Sequence, residues 1–188
     1  MKIILGSKSK GRAKVLKEIG YDFEVMSADI DEKAIRFKDP EELTLKLAKA
    51  KADALLPKIK EPAILITSDQ VVIWHGQIRE KPENKDQARE FLQSYTLHPA
   101  ETVTAIVVIN TATGLRKQGV DIARAWFKTI PEKIIQQLIS QGDVFMQAGG
   151  YSIDDPLLKP YILKIEGERE SIMGLPKKLT LRLIEEVK

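Results

Sequence analysis

Hydrophobic positions along this chain follow two periods. Short apolar runs rich in β-branched residues alternate with stretches in which apolar residues recur every three or four positions, the patterns of strand and helix. Lys2–Leu5 is such a run, broken by Gly6-Ser7. Val15, Leu16 and Ile19 then share one helical face that Gly20 ends. Tyr21–Met26 predicts a second strand, and Ser27–Lys38 a polar loop carrying Asp29, Asp31 and Glu32. Asp39 reads as an N-cap with Pro40 at the first helical position. That helix extends to about Leu56, with Leu47, Ala48, Ala52 and Leu55 in one stripe.

Ala63–Thr67 and Val71–Trp74 predict two further strands, the second closed by a turn at His75-Gly76. A polar helix follows at about Asn84–Tyr95. Thr102–Asn110 and Gly119–Phe127 read as a hairpin turning near Ala112-Thr113-Gly114. Pro131–Gln141 predicts a helix opened by proline and stopped by Gly142. Gly149-Gly150 marks a turn, Tyr161–Ile165 a short strand, and Leu175–Val187 a closing helix with Pro176 in its first turn. The order is neither strict βαβα nor all-β. It predicts an α/β fold: a twisted mixed sheet with flanking helices, split by a cleft.

Composition narrows the chemistry. The 188 residues, 43% hydrophobic and 30% charged, suit a single domain, 1–188, or two small lobes around a shared cleft. With no cysteine there is neither a disulfide framework nor a thiolate metal site. With only His75 and His98, a multi-histidine zinc centre is nearly excluded, so a metal would be a hard cation on carboxylates. A net charge of +3 with interleaved signs, without aromatic platforms, does not predict nucleic-acid binding. No apolar stretch approaches membrane length, and Ile3-Ile4-Leu5 is too short for a signal peptide, so the expected location is the cytoplasm.

Four features could carry chemistry. Gly6-Ser7-Lys8-Ser9-Lys10-Gly11-Arg12 follows a strand and opens a helix, where backbone N–H groups, Ser7, Ser9 and Arg12 could face an anion. The same residues would also serve as an ordinary N-cap. Lys51 lies inside the apolar stripe of its helix, so it must either snorkel or find an anion. Asp69 stands between two apolar runs, where a carboxylate is costly unless paired or metal-bound; a turn aspartate is the alternative. Lys81, before Pro82, is either a phosphate ligand or a solvated loop lysine.

Taken in order, Gly6-Ser7-x-Ser9-x-x-Arg12, Asp29-Ile30-Asp31-Glu32 and Leu47-Ala48-x-x-Lys51-Ala52 resemble the opening of the Maf (septum-formation) family of nucleotide pyrophosphatases. Ser68-Asp69-Gln70-Val71-Val72, Lys81-Pro82, Ala148-Gly149-Gly150-Tyr151 and Met173-Gly174-Leu175-Pro176 extend the resemblance over nearly the whole chain. It implies the mixed α/β fold of inosine-triphosphate pyrophosphatases, with two lobes around a nucleotide cleft and a homodimer. The implied reaction is hydrolysis of a nucleoside triphosphate to a monophosphate and pyrophosphate. Ser7, Ser9, Arg12, Lys51 and Lys81 would hold the triphosphate. Glu32 and Asp69 would bind Mg²⁺ or another divalent cation such as Mn²⁺, and Asp69 would be the proton acceptor. A low-turnover nucleotide-binding regulator of cell division is the competing function.

Three positions depart from the commonest pattern of that family and bear on the base. Gly11 replaces an arginine, Gln70 follows Asp69 where threonine is frequent, and Asp154 stands where glutamine is frequent. Gln70 with Asp154 is more similar to the type acting on 7-methyl-GTP than to the dTTP/UTP type, although that type usually carries tryptophan at the position of Gly11.

Overall fold

The computed structural model describes residues 1–188. Seven strands form: β1 (Lys2–Leu5), β2 (Glu24–Val25), β3 (Ala63–Trp74), β4 (Gln77–Arg79), β5 (Ala100–Asn110), β6 (Arg116–Phe127) and β7 (Ile162–Glu166). Six α-helices accompany them: α1 (Lys10–Glu18), α2 (Pro40–Leu55), α3 (Lys85–Ser94), α4 (Glu132–Gln141), α5 (Arg169–Ile172) and α6 (Lys177–Val187). The strand order is β2-β1-β3-β5-β6-β7, with β4 paired to β3. The β1–β2 and β1–β3 pairs are parallel, and the β3–β4 and β6–β7 pairs antiparallel, so the sheet is mixed as expected.

The chain divides into two compact units interleaved in sequence. The first comprises residues 1–70, 104–121 and 173–188, and the second residues 71–103 and 122–172. In the first, the two-residue period of a strand sorts side chains to opposite faces. Ile3, Leu5, Ile64, Ile66, Ile106 and Val108 pack with Val15 and Leu16 of α1 and with Leu179, Leu183, Ile184 and Val187 of α6. Ile4, Ala63, Leu65, Ala105, Val107 and Ile109 pack instead with Ala48, Ala52 and Leu55 of α2. Burial on both faces is why these strands read as continuous apolar runs.

In the second unit α3 packs on α4, and an ion pair between Arg89 and Glu132 bridges them at the surface. Arg79 is buried, its guanidinium lying 4.2 Å from the ring centre of Trp74 and 4.3 Å from that of Phe91. It donates to the Phe91 carbonyl and the Ser94 hydroxyl, which offsets the cost of burying the charge.

The structure corrects the sequence reading at several elements. Ala63–Thr67 and Val71–Trp74 are one strand, β3, so Ser68, Asp69 and Gln70 are strand residues rather than a turn. Polarity suggested a break, but Thr67, Ser68 and Asp69 are buried in the ladder. The strand over Tyr21–Met26 shrinks to Glu24–Val25, which pair with Ile4 and Leu5 while Tyr21 and Phe23 pack against the core. β4 and α5, of three and four residues, are too short for periodicity to reveal. No helix is long and apolar enough to cross a membrane.

Candidate functional site

The predicted residues of the first unit meet because of three local devices. The first is the β1–α1 connection. Gly6 donates its N–H to the Ile66 carbonyl at 2.7 Å, and a Cβ on Gly6 would stand 2.6 Å from Thr67 Cγ2 and 2.7 Å from Leu55 Cδ1. Glycine therefore lets β1 end tightly against β3 and α2. Ser9 then caps α1, its Oγ accepting from the Arg12 N–H, and Ser7 Oγ accepts from the Ser9 N–H at 3.2 Å.

The second device is the alternation of β3. Thr67 and Asp69 face α2, where Thr67 Oγ1 donates to the Ala48 carbonyl at 2.8 Å. Small Ala48 and Ala52, both fully buried, allow α2 to lie close, and Lys51 on the same face reaches Asp69. Lys51 Nζ donates to Asp69 Oδ1 at 2.5 Å and stands 3.0 Å from Glu32 Oε1. Glu32 comes from a short 3₁₀ turn, Glu32–Ala34, which Asp31 caps. The lysine within the apolar stripe thus has its anions, and they are two protein carboxylates.

Ser68 and Gln70 face the other way. Ser68 Oγ donates to the Gly174 carbonyl at 2.9 Å, and Gln70 donates to Thr104 Oγ1 at 3.0 Å. The third device is Arg12, expected as a phosphate ligand. Its Nε donates to the Gly174 carbonyl at 3.1 Å, and its Nη1 to the Ser68 carbonyl at 2.8 Å and to Ser7 Oγ at 3.1 Å. Arg12 therefore ties the β1–α1 connection, β3 and the segment before α6 to one another, immediately beside Asp69. Gly11 takes part as well. A Cβ there would stand 2.8 Å from the Met173 carbonyl oxygen, so glycine lets the Met173–Gly174 segment lie on the first turn of α1. Ser68 and Gly174 had no assigned role in the sequence reading. Their signal was a hydroxyl within a buried run and a glycine inside a resembling motif.

Asp69 is 6% exposed. Burial raises its carboxyl above the ordinary carboxylate range, and the positive charges of Lys51 and Arg12 oppose that shift. Burial likewise lowers the Arg12 guanidinium from its usual value, against the attraction of Asp69 and Glu32. The result is a buried carboxylate hydrogen-bonded to the Lys51 ammonium, with the Arg12 guanidinium acting on it through its charge. Nowhere do three or more Asp, Glu or His side chains converge as a metal cage. Glu32 and Asp69 do converge on a single cation, Lys51 Nζ, and two carboxylates completed by phosphate oxygens and water suit Mg²⁺.

Two predicted residues lie on the second unit. Lys81 is exposed, on a loop fixed by its neighbours: the Gly149 N–H donates to the Glu80 carbonyl at 2.9 Å, and Gly150 packs on Pro82. The Tyr95 hydroxyl secures the same turn by donating to the Gly149 carbonyl at 2.7 Å. Asp154 pairs with Arg169 of α5, a partner that the sequence reading did not foresee.

The family profile described as Maf-like protein matches residues 2–187. A relative from Dictyostelium discoideum named 7-methyl-GTP pyrophosphatase is 50% identical over 98% of this chain and 96% of its own length. One from Clostridium perfringens named dTTP/UTP pyrophosphatase is 33% identical over 94% of this chain and 92% of its own. The Staphylococcus aureus Ham1 protein shares the fold, with a TM-score of 0.50 at 14% identity, covering 99% of this chain and 97% of that one.

The burial of Asp69 has a testable sign. A carboxyl raised in the fold favours the neutral acid there relative to the unfolded chain, where it titrates near pH 4. Its contribution to stability is full below that pH and is lost as the pH rises through the raised value. Asp69→Asn carries no such dependence. The melting temperature of the variant minus that of wild type should therefore grow as the pH rises from about 4 towards neutrality. A difference that shrinks over the same range would mean that attraction to Lys51 and Arg12 outweighs desolvation.

Proposed function

This chain belongs to the Maf-like protein family and is a nucleotide pyrophosphatase, a hydrolase of phosphoric anhydrides; on that premise we propose that it cleaves a guanine-type nucleoside triphosphate, 7-methyl-GTP foremost, with Mg²⁺ or Mn²⁺ as cofactor. Clearing modified nucleotides would be its role in the cell. The observation that carries the reading is Asp69: buried on a strand, with its carboxyl raised, and held by a lysine from the facing helix.

The chemistry follows from those residues. Asp69 orients a water molecule and takes one of its protons. The water oxygen forms a bond to the α-phosphorus while the bond from that phosphorus to the α–β bridging oxygen breaks, and the electron pair leaves with pyrophosphate. Lys51 supplies a nearly buried positive charge for the phosphate oxygens. Ser7 and Ser9 offer hydroxyls where α1 begins. Arg12 acts first by fixing the Ser68–Asp69 segment, because its Nε and Nη1 donors are engaged with protein oxygens. Glu32 and Asp69 would hold the divalent cation, which when bound supplies charge neutralisation for the triphosphate. By the family resemblance Lys81 adds a further phosphate cation, and a cytoplasmic homodimer is the expected form.

Gln70 and Asp154 support the guanine preference. Guanine presents two adjacent donors, N1–H and the exocyclic amine, which one carboxylate can accept, and a pyrimidine would leave that carboxylate unsatisfied. A methyl group at N7 adds a positive charge to the ring, which favours a carboxylate further. Arg169 competes for the same oxygens of Asp154, so the base must displace or share that ion pair. The 50% identity to a relative named for 7-methyl-GTP points the same way.

Purified protein with Mg²⁺ should release pyrophosphate, not orthophosphate, from a panel of 7-methyl-GTP, GTP, UTP and dTTP. Asp69→Asn should stay folded and lose about 10²–10⁴-fold in kcat. Orthophosphate as first product, or near-normal turnover by the variant, would contradict the mechanism. In the same panel 7-methyl-GTP should show the highest kcat/KM, and Asp154→Gln should narrow its lead by about 10-fold or more. A wild type that prefers UTP or dTTP would reject the substrate but leave the reaction standing; an unchanged ranking in the variant would remove Asp154 from base recognition.

A further inference from the structure

In the first unit the Lys51 ammonium contacts two carboxylates, Glu32 and Asp69. The side chain of Lys51 is 12% exposed and that of Asp69 is 9% exposed. The ammonium lies 2.5 Å from Asp69 Oδ1 and 3.0 Å from Glu32 Oε1, so it stands between the two carboxylates. These are the residues that the proposed function assigns to the divalent cation. One positive group already contacts an oxygen of each.

An ammonium and a divalent cation cannot share that point. They would compete for the same lone pairs, and beside the buried Asp69 their repulsion is strong, although the Glu32 side chain is 56% exposed. Charge counting sharpens the conflict. Two carboxylates face Lys51, and the Arg12 guanidinium is near enough to act on both Asp69 and Glu32. The group is balanced as it stands. A bare divalent cation would add uncompensated positive charge, whereas a cation arriving with a triphosphate brings the polyanion to which Lys51 can transfer.

We propose that Lys51 is a stand-in for the metal: its ammonium holds the Glu32–Asp69 position closed to free divalent cations and leaves for the triphosphate when the metal–nucleotide complex binds. Lys51 thereby selects the complex over the bare ion and keeps the Asp69 carboxylate paired until substrate arrives. This inference rests on the assignment of Glu32 and Asp69 as metal ligands. It adds to that assignment an energetic coupling between metal and nucleotide that passes through one side chain, and such a coupling is reciprocal.

The test reads metal binding, not turnover. Mn²⁺ affinity is measured by electron paramagnetic resonance for wild type, Lys51→Met and Lys51→Gln, each checked for folding by circular dichroism. Each is titrated alone and with an α,β-methylene analogue of GTP that cannot be cleaved. Without nucleotide, the folded Lys51 variants should bind Mn²⁺ about 10-fold or more tightly than wild type, because the competing charge is gone. The analogue should raise Mn²⁺ affinity about 10-fold more in wild type than in the variants. Should Lys51→Met prevent folding, Lys51→Gln, neutral but still able to donate a hydrogen bond to the carboxylates, carries the same comparison. Equal or weaker Mn²⁺ binding in a folded variant would overturn the proposal. That result would leave the pyrophosphatase reading intact, since the wild-type release of pyrophosphate tests it separately.

Discussion

The burial of one carboxylate, Asp69, sets the terms for the rest of the site. A charge taken out of water on a strand must be compensated, and the neighbouring elements supply the compensation. α2 brings Lys51 to it at 2.5 Å, which requires Ala48 and Ala52 at the helix–sheet contact and Gly6 at the end of β1. From the opposite face of the same strand, Arg12 and Ser68 meet at the Gly174 carbonyl and hold the backbone on which Asp69 sits. The same burial that costs stability raises the carboxyl above the ordinary carboxylate range.

Most of the first unit was legible in the sequence because its strands are buried on both faces and its helices carry clean apolar stripes. The N-caps Ser9 and Asp39 were readable for the same local reason, a short polar side chain ahead of a helical pattern. What misled was polarity within a strand. Thr67-Ser68-Asp69-Gln70 reads as a break, yet β3 runs through it, because each polar side chain finds a partner on the face to which the pleat assigns it. Lys51 was legible as an anomaly, a cation on an apolar face. Its partners were not, since they come from a 3₁₀ turn and from a strand far away in sequence. Arg12 shows the opposite limit: the motif placed it at the site, but only geometry gives it protein oxygens as partners.

The residues of the proposed function are drawn from both units of the chain. Asp69, Lys51, Glu32, Gln70 and the β1–α1 connection belong to the first, and Lys81 and Asp154 to the second. The constraints on the two sets differ. In the first unit Asp69 and Lys51 are largely buried and hydrogen-bonded to each other, while Glu32 reaches Lys51 from an exposed turn. The second unit's two are on loops, one exposed beside Pro82 and one in a partly exposed pair with Arg169. Loops can change without disturbing a core. That fits a family whose members carry one reaction but are named for different bases.

The central claim is that water attacks the α-phosphorus of the nucleotide. Hydrolysis in ¹⁸O-labelled water, followed by mass spectrometry of both products, tests it most directly. The account predicts one labelled oxygen in the nucleoside monophosphate and none in the pyrophosphate. Label in the pyrophosphate would mean attack at the β-phosphorus and would contradict it.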